Sequence, residues 1–443
     1  MSLGIVTHGI VYRADDGTTT LHKPGRNGGL GTVTEVPEDL ADLWRLATGD
    51  IVEADTEPIF EETVPEPALI SPDEDQEIDE PSAVRGHHVP VWLATHVTPT
   101  QRVTAIYSVN GQALSEAEDR PYPRRRSPSE RTTPDQALPC TVQPSDVTGR
   151  MIDVAATLGL GCAGIIVGPH SAGLTRTLRA VVAGACANSP EVSVIVLLLR
   201  GRGEECSDWR RRFPEVDVVV CPSPGDEATA EQTLQMANLV IACAQRQSEL
   251  GRSVLIAMDS LTALWGTMLE AEAADAQANA DRSRARQDIR EWVQKAGKFG
   301  GEGPLGGSLG GSITLVGTVW QTAVDSEAEE EGEIHPHLRL LEHVVHETSW
   351  RIFLSGDLAA QRRFPAIDVL RAISRFEREI LGAERHDRLE LARRALSSLS
   401  PMARHTALLE AIEATQELDD CIDLLVQTYK PARPDMDPRL PYL

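Results

Sequence analysis

Positive charge is what this chain has least of relative to its counterpart: 42 Lys and Arg stand against 67 Asp and Glu, a formal net charge of −25 over 443 residues. An excess of that size excludes broad, charge-driven attachment to nucleic acid or anionic lipid, so any such binding has to be local. Aromatics are scarce as well, at 4% of residues, which leaves few side chains to serve as stacking platforms for bases. Long apolar runs are missing: stretches such as CAGIIV and VSVIVLLL fall far short of the ~20 residues that span a bilayer. The opening residues MSLGIVTHGIV lack the basic segment of a secretory signal. The expected address is cytoplasmic, with no membrane partner. The seven cysteines (Cys140, Cys162, Cys186, Cys206, Cys221, Cys243 and Cys421) are odd in number and never form a CxxC pair. They read as small buried hydrophobes in a reducing compartment.

What is present divides along the chain. Residues 1–118 begin with short alternating segments (GIVTHGIVYR, GTVTEV) broken by DDG, KPGRNGG and ATGD and return to strand character at RVTAIYSV, which predicts a small β-module. Within it, residues 53–82 are expected to form an acidic, solvated insertion: from Glu53 to Glu80 there are twelve acidic residues and no Lys or Arg. Residues 119–139, with RPYPRRRSPSERTTPD, read as a Pro/Ser/Arg-rich linker. Residues 140–382 alternate continuous Val/Ile/Leu runs with helical patterns, the mark of a mainly parallel sheet covered on both faces. Helices are expected near 175–186, 228–250 and 269–298. Residues 383–443 read as two terminal helices and a tail.

Chemistry concentrates at GPHSAGLTRT, residues 168–177, between an apolar strand and a helix. Gly168, Gly173 and Thr175 keep the frame of a phosphate-binding P-loop, whose glycines expose backbone N–H groups to phosphate oxygens and whose hydroxyl holds Mg²⁺. Leu174 occupies the lysine position, so the cation is lost. VLIAMDS has the form of the strand whose terminal acid, here Asp259, holds the metal through water. Thr175 and Asp259 are the Mg²⁺ candidates.

The segment VTGRMIDVAATLGLGCAGIIVGPHSAGLTRTL resembles the start of the ATPase domain of bacterial transcription termination factor Rho, and VIVLLLRGRGEECSDWRR, VLIAMDSLTAL, GGSITLVGTVWQT, RRFPAID and ISRFEREIL continue the likeness in order. The resemblance covers roughly residues 146–430 and, more faintly, residues 9–118 through LWRLATGDIV and RVTAIYSVNG. It implies an α/β chain: a RecA-like P-loop NTPase-type parallel-sheet domain preceded by a small OB-like β-barrel, assembled into hexameric rings that bind ATP and RNA. It implies further that Phe364 matches the adenine-stacking phenylalanine. Arg375 matches the arginine finger, with Arg371 a second candidate, and Arg362 and Arg202 match arginines acting across subunits. The family's acidic pair falls at Arg200 and Gly201, so the glutamate that orients water is gone. Each such loss costs on the order of 10²-fold in rate or more. Nucleotide binding without hydrolysis and an empty site both stay open.

RNA-contact candidates are few. Tyr12 is either a stacking platform or core. Arg282, Arg284 and Arg286 either grip RNA or line a solvated helix face. The segment matching Rho's basic pore loop carries Asp325, Glu327, Glu329, Glu330, Glu331 and Glu333, which repel phosphate. Three functions follow: a divergent Rho-like factor with ATP hydrolysis and RNA translocation weakened or lost, partnering itself or an intact Rho subunit, with RNA or RNA polymerase as further partners; an active RNA-dependent ATPase or helicase, with Arg176 or another cation replacing the lysine and an unidentified acid replacing Gly201; or an acidic non-catalytic scaffold for a basic protein.

Overall fold

The computed structural model describes residues 5–14, 18–24, 30–58, 101–110, 112–113, 130–221, 223, 229–274, 283–300, 310–321 and 336–429. The chain forms two compact units, Met1–Arg120 and Pro121–Leu443.

In the first unit, β1 (Ile5–Arg13), β2 (Thr19–Pro24), β3 (Leu30–Val36), β4 (Ile51–Pro58), β5 (Gln101–Val109) and β6 (Gln112–Ala113) run in the order β3-β2-β1-β4-β5-β6. A parallel pairing of β3 with β5, at Thr34↔Gln101 and Glu35↔Arg102, closes β1–β5 into an OB-like barrel. Helix α1 (Glu38–Leu43) precedes the turn into β4, where Asp50 accepts from the Ala47 N–H and from Asn110 Nδ2, each at 2.8 Å. Val11, Leu21, Trp44, Val52 and Val109 fill the interior. The acidic insertion therefore does not begin at Glu53: residues 53–58 belong to β4, with Val52, Ala54 and Thr56 buried and Glu53, Asp55 and Glu57 facing outward. Its charge conceals a period-2 alternation. Residues 59–82 lie outside the described residues.

The second unit takes in part of the expected linker. Strand β7 (Arg131–Thr132) pairs with β12 (Gly297–Phe299), and Leu138 is core. Helix α2 (Val147–Ala155) is capped by Asp146, whose Oδ1 accepts from the Gly149 N–H at 3.0 Å. The sheet strands β8 (Ala163–Gly168), β9 (Val192–Leu199), β10 (Asp217–Cys221), β11 (Ser253–Asp259), β13 (Ser312–Trp320), β14 (Trp350–Phe353) and β15 (Ile373–Ser374) lie in the order β10-β9-β11-β13-β8-β14-β15. Every pairing along that path is parallel except β14 with β15. The buried, continuous apolar runs of β8 and β9 are what a doubly covered parallel sheet demands.

Helices α3 (Leu174–Asn188), α4 (Gly203–Arg212) and α5 (Ala230–Glu249) follow the strands as crossovers. The expected helix at 269–298 is instead α6 (Leu261–Ala274), α7 (Ser283–Val293) and β12: the extended Gly297–Phe299 segment pairs with β13, which outweighs its helical pattern. Helices α8 (Pro336–Val344), α9 (Gly356–Ala360) and α10 (Glu377–Leu381) surround β14 and β15 in the chain. The C-terminal pair is in fact three helices, α11 (Ala383–Ser397), α12 (Pro401–Ala414) and α13 (Leu418–Thr428). The added break falls inside HTALLEAIEATQELDDCIDLLVQTY: α12 ends at Ala414, Thr415 is extended with φ −128° and ψ 153°, and α13 starts after Glu417. Leu389, Leu396, Leu408, Ile422 and Leu425 join the same core as Leu178, Val196 and Ile352. All seven cysteines are free thiols, Cys186 half-buried and the others buried. No helix among the described residues is long and apolar enough to cross a membrane.

Candidate functional site

β8 ends at Gly168, which is fixed by close approach: a Cβ there would lie 2.7 Å from Leu354 Cβ, just past β14. One 3₁₀ turn, His170–Ala172, leads to Gly173, whose φ of 95° lies in the left-handed region that favours glycine and lets α3 start at Leu174. Thr175 then stands in the first turn of α3, and its Oγ1 donates to Asp259 Oδ2 at 2.6 Å. The other oxygen of Asp259 accepts from Thr318 Oγ1 at 2.7 Å. Sheet order creates this trio, because β13 lies between β8 and β11 and carries Thr318 between their ends. A hydroxyl and a carboxylate this close supply the hard oxygen donors that Mg²⁺ takes, and the left-handed glycine beside them exposes N–H groups suited to phosphate. The donor set fits a Mg²⁺–nucleotide complex, which Thr175 would hold directly and Asp259 through water. Among the described residues no group of three His, Cys, Asp or Glu could hold a metal by itself.

Leu174 is only 4% exposed and belongs to the hydrophobic core. The side chain in the lysine position thus packs inward. Arg176 is exposed and lines a surface cleft with Val142, Asp146, Arg179, Arg212 and Phe213, a lining that includes none of residues 168–175. Its charge serves a different surface.

At the end of β9, Arg200 takes a left-handed φ of 56°. Its Nη2 donates to Glu270 Oε1 at 2.5 Å and to Thr267 Oγ1 at 3.4 Å on α6. A Cβ at Gly201 would come within 2.8 Å of Leu198 Cβ. Arg202 is exposed at the N-terminus of α4, its backbone N–H donating to Glu205 Oε2 at 3.3 Å.

Phe364 is exposed and reaches the loop: its Cδ1 lies 3.9 Å from where a Gly173 Cβ would be. Arg362 is exposed and left-handed, with φ 56°. Arg375 is exposed beside β15, and its N–H donates to the Ser349 carbonyl at 2.8 Å. Arg371 stacks its guanidinium over Phe353, 4.5 Å from the ring centre. Half-buried Arg351 has its guanidinium pKa lowered by burial and by the neighbouring Arg375 charge. The structure thus gathers Gly168, Gly173, Thr175, Asp259 and Phe364 about one loop and leaves Arg202, Arg362 and Arg375 on the surface.

Of the RNA candidates, Tyr12 is half-buried and meets His22 edge-on at 5.8 Å. Among the described residues of the barrel the exposed aromatic is Tyr107, 47% exposed, whose hydroxyl donates to Asp55 with Glu53 alongside. Strict alternation from Val103 would point Tyr107 inward, but β5 skips pairing at residues 104 and 107. These bulges turn the ring outward. Arg284 is exposed and Arg286 half-buried on α7, where Gln287 donates to Glu291, while Ala285, Ile289 and Trp292 face the core. Arg282 and the acidic segment 325–333 lie outside the described residues. Thr318, Glu270 and Tyr107 escaped sequence reasoning; a threonine near the end of the apolar strand SITLVGTVW is the one local signal among them.

A strand, a glycine-bounded turn, a helix-start hydroxyl and a carboxylate two strands away define a P-loop ATPase-type domain. The profile of the ATP synthase alpha/beta family, nucleotide-binding domain, matches residues 149–374, and the chain belongs to that family. Within it the chain is a divergent homologue of transcription termination factor Rho. It is 30% identical over 349 residues to Rho of Rhodopirellula baltica, covering 76% of this chain and 63% of that one. To Rho of Bacillus subtilis it is 28% identical, covering 74% and 71%. The chain thus spans under two thirds of the length of the first of these relatives. Among solved structures, a type III secretion ATPase of pathogenic bacteria superposes with a TM-score of 0.53 at 17% identity, over 75% of this chain and 92% of that one. The assembled ATPase EscN of enteropathogenic E. coli gives 0.51 at 19%, over 68% and 73%. At such identities these two likenesses speak to the fold alone.

Proposed function

We propose that this chain is a Rho-type ring subunit that binds ATP with Mg²⁺ through residues 168–175 and Asp259 but hydrolyses it at a small fraction of the usual rate. Supporting this is one contrast: the Thr175–Asp259–Thr318 trio is intact, whereas Leu174 is buried in the core and Arg200 and Gly201 stand where a carboxylate is needed. When bound, Mg²⁺ neutralises phosphate charge. The chain's own part is to seat the phosphates on backbone N–H groups and the base against Phe364. Two missing groups at about 10²-fold each lower turnover by on the order of 10⁴. In the cytoplasm the subunit assembles with itself or with an intact Rho subunit, whose site Arg375, Arg362 and Arg202 complete, and so modulates transcription termination. RNA translocation is weakened, since Tyr12 is not an open platform. Arg176, in its separate cleft, does not favour the fully active alternative.

The test is phosphate release by the purified chain, alone and mixed with an intact Rho subunit, together with ATP affinity of Leu174→Lys. Expected are background turnover alone, an altered rate in the mixture and tighter ATP binding by the variant. Brisk turnover by the chain alone, abolished by Thr175→Ala, overturns the proposal. The scaffold reading draws on one observation, the open Tyr107 set among Asp55 and Glu53. Co-purification with a basic protein and not with Rho favours it.

A further inference from the structure

Phe364 is 37% exposed, so packing covers only part of its ring. Its place is set by the backbone around it. The Arg363 N–H donates to the Leu358 carbonyl at 2.8 Å, and the Ala366 carbonyl accepts from the Ser355 N–H at 2.7 Å. Between them Pro365 has no N–H, so its carbonyl is its only backbone polar group. That carbonyl lies 2.9 Å from Nε2 of His405 on α12, forty residues further along the chain. A carbonyl only accepts, so Nε2 carries the proton and donates. His405 is 3% exposed, and its Nδ1 is buried without a hydrogen-bond partner among the described residues. The imidazole therefore makes one directional bond, to the residue after the candidate base platform. A cavity of about 20 Å³, bordered by Met151, Ser355, Ile367, Arg404, His405 and Leu408, adjoins the bond. That is room for about one water beside the imidazole.

We propose that His405 is a positioning residue for base recognition: through the Pro365 carbonyl it holds Phe364 beside the P-loop and ties the C-terminal helices to nucleotide binding. This rests on the reading of Phe364 as the base platform. A device of this kind acts on the base and leaves the phosphates alone, and that separates it from a merely structural role.

The experiment compares binding of Mg²⁺–ATP and of inorganic tripolyphosphate by calorimetry, using the full chain. His405→Leu is expected to weaken ATP about tenfold, the worth of roughly one hydrogen bond, with tripolyphosphate unchanged. His405→Gln, whose amide can still donate to Pro365, should stay near wild type. Phe364→Ala should match His405→Leu, and the double variant should lose no more than either single one. Should His405→Leu fail to fold, His405→Asn, too short to reach the carbonyl, carries the same expectation. Equal weakening of both ligands, or additive losses in the double variant, overturns the proposal. If Phe364→Ala discriminates between the ligands and the His405 variants do not, His405 alone is excluded. If wild type binds ATP no better than tripolyphosphate, or Phe364→Ala changes nothing, the base-platform reading falls and this proposal with it.

Discussion

Arg200 and Glu270 face each other at 2.5 Å between the end of β9 and helix α6. A guanidinium with a carboxylate partner of its own thus occupies the strand end where the family's acidic pair falls. Both side chains are substantially exposed, 32% and 47%, so the pair adds little stability. Its consequence is chemical. Restoring a glutamate at position 201 meets a steric obstacle, since the new Cβ would approach Leu198 Cβ to 2.8 Å. Gly201→Glu should cost about 1–3 kcal/mol, as overpacking does, and leave turnover at background even with Leu174→Lys added. Thermal melting and phosphate release check this; a return to Rho-like rates would contradict it.

The carboxylate of Asp259 accepts one hydroxyl on each oxygen, and the two hydroxyls have unequal roles. Thr175 stands at the loop and, in the proposed function, would ligate the metal, while Thr318 donates to Asp259 from β13. Thr175→Ala should remove the Mg²⁺-dependent part of ATP affinity, a loss of about tenfold or more. Thr318→Val, nearly isosteric, should lower it only a few-fold. Titrations with and without Mg²⁺ decide, and identical wild-type affinities in the two conditions would refute the assignment.

The nucleotide loop and its strand were legible because their signals are local. Glycine spacing, an apolar run before it and a helical run after it are contiguous at residues 163–188, and an acid closes an apolar strand at Asp259. Thr318, Glu270 and His405 were not legible, because each acquires its role from a distant partner. Thr318 lies 59 residues from Asp259 and meets it only through the order β11-β13-β8. In Leu174 the sequence showed the missing charge, but the inward packing of the side chain appears only once α3 is laid on the sheet. Glu53–Pro58 was obscured by composition, as acidic residues on every second position look like a charge run. Tyr107 was obscured by two bulges that break the alternation by which strand faces are read.

His22 gives the barrel an acid-sensitive element. It is 5% exposed, with Nε2 2.9 Å from Thr20 Oγ1, and burial lowers its pKa from 6.5 to about 4. Below pH 6.5 the unfolded chain takes up a proton that the folded barrel refuses until near pH 4. Stability present above pH 6.5 is therefore lost as the pH falls through that window, about 3 kcal/mol in all. The isoelectric point of about 4.9 confines measurement to the upper part. Between pH 7 and 5.5 roughly 1 kcal/mol should disappear. Urea unfolding of wild type and His22→Gln across that range isolates the term: the wild-type midpoint should fall relative to the variant, and parallel curves would exclude it.

Arg150 is 1% exposed and donates to five acceptors: the carbonyls of Pro144, Ile412, Thr415 and Glu417 at 3.1, 2.6, 2.6 and 3.0 Å, and Thr415 Oγ1 at 2.8 Å. Most of these lie at the C-terminal end of α12 and the turn into α13, where unpaired carbonyls concentrate negative potential that a cation offsets. One guanidinium thus fastens the terminal helices to α2. Arg150→Met would strip the Ile412 and Thr415 carbonyls of this donor and should cost about 2–4 kcal/mol. Arg150→Lys should recover less than half, because three donors on a point charge cannot serve the five acceptors that a planar guanidinium reaches. Since α12 also carries His405, the same variants should loosen Pro365. Limited proteolysis should then open the chain near residues 397–417 before the central sheet, and a variant that melts like wild type with an unchanged cleavage pattern would show that the helices are held by packing alone.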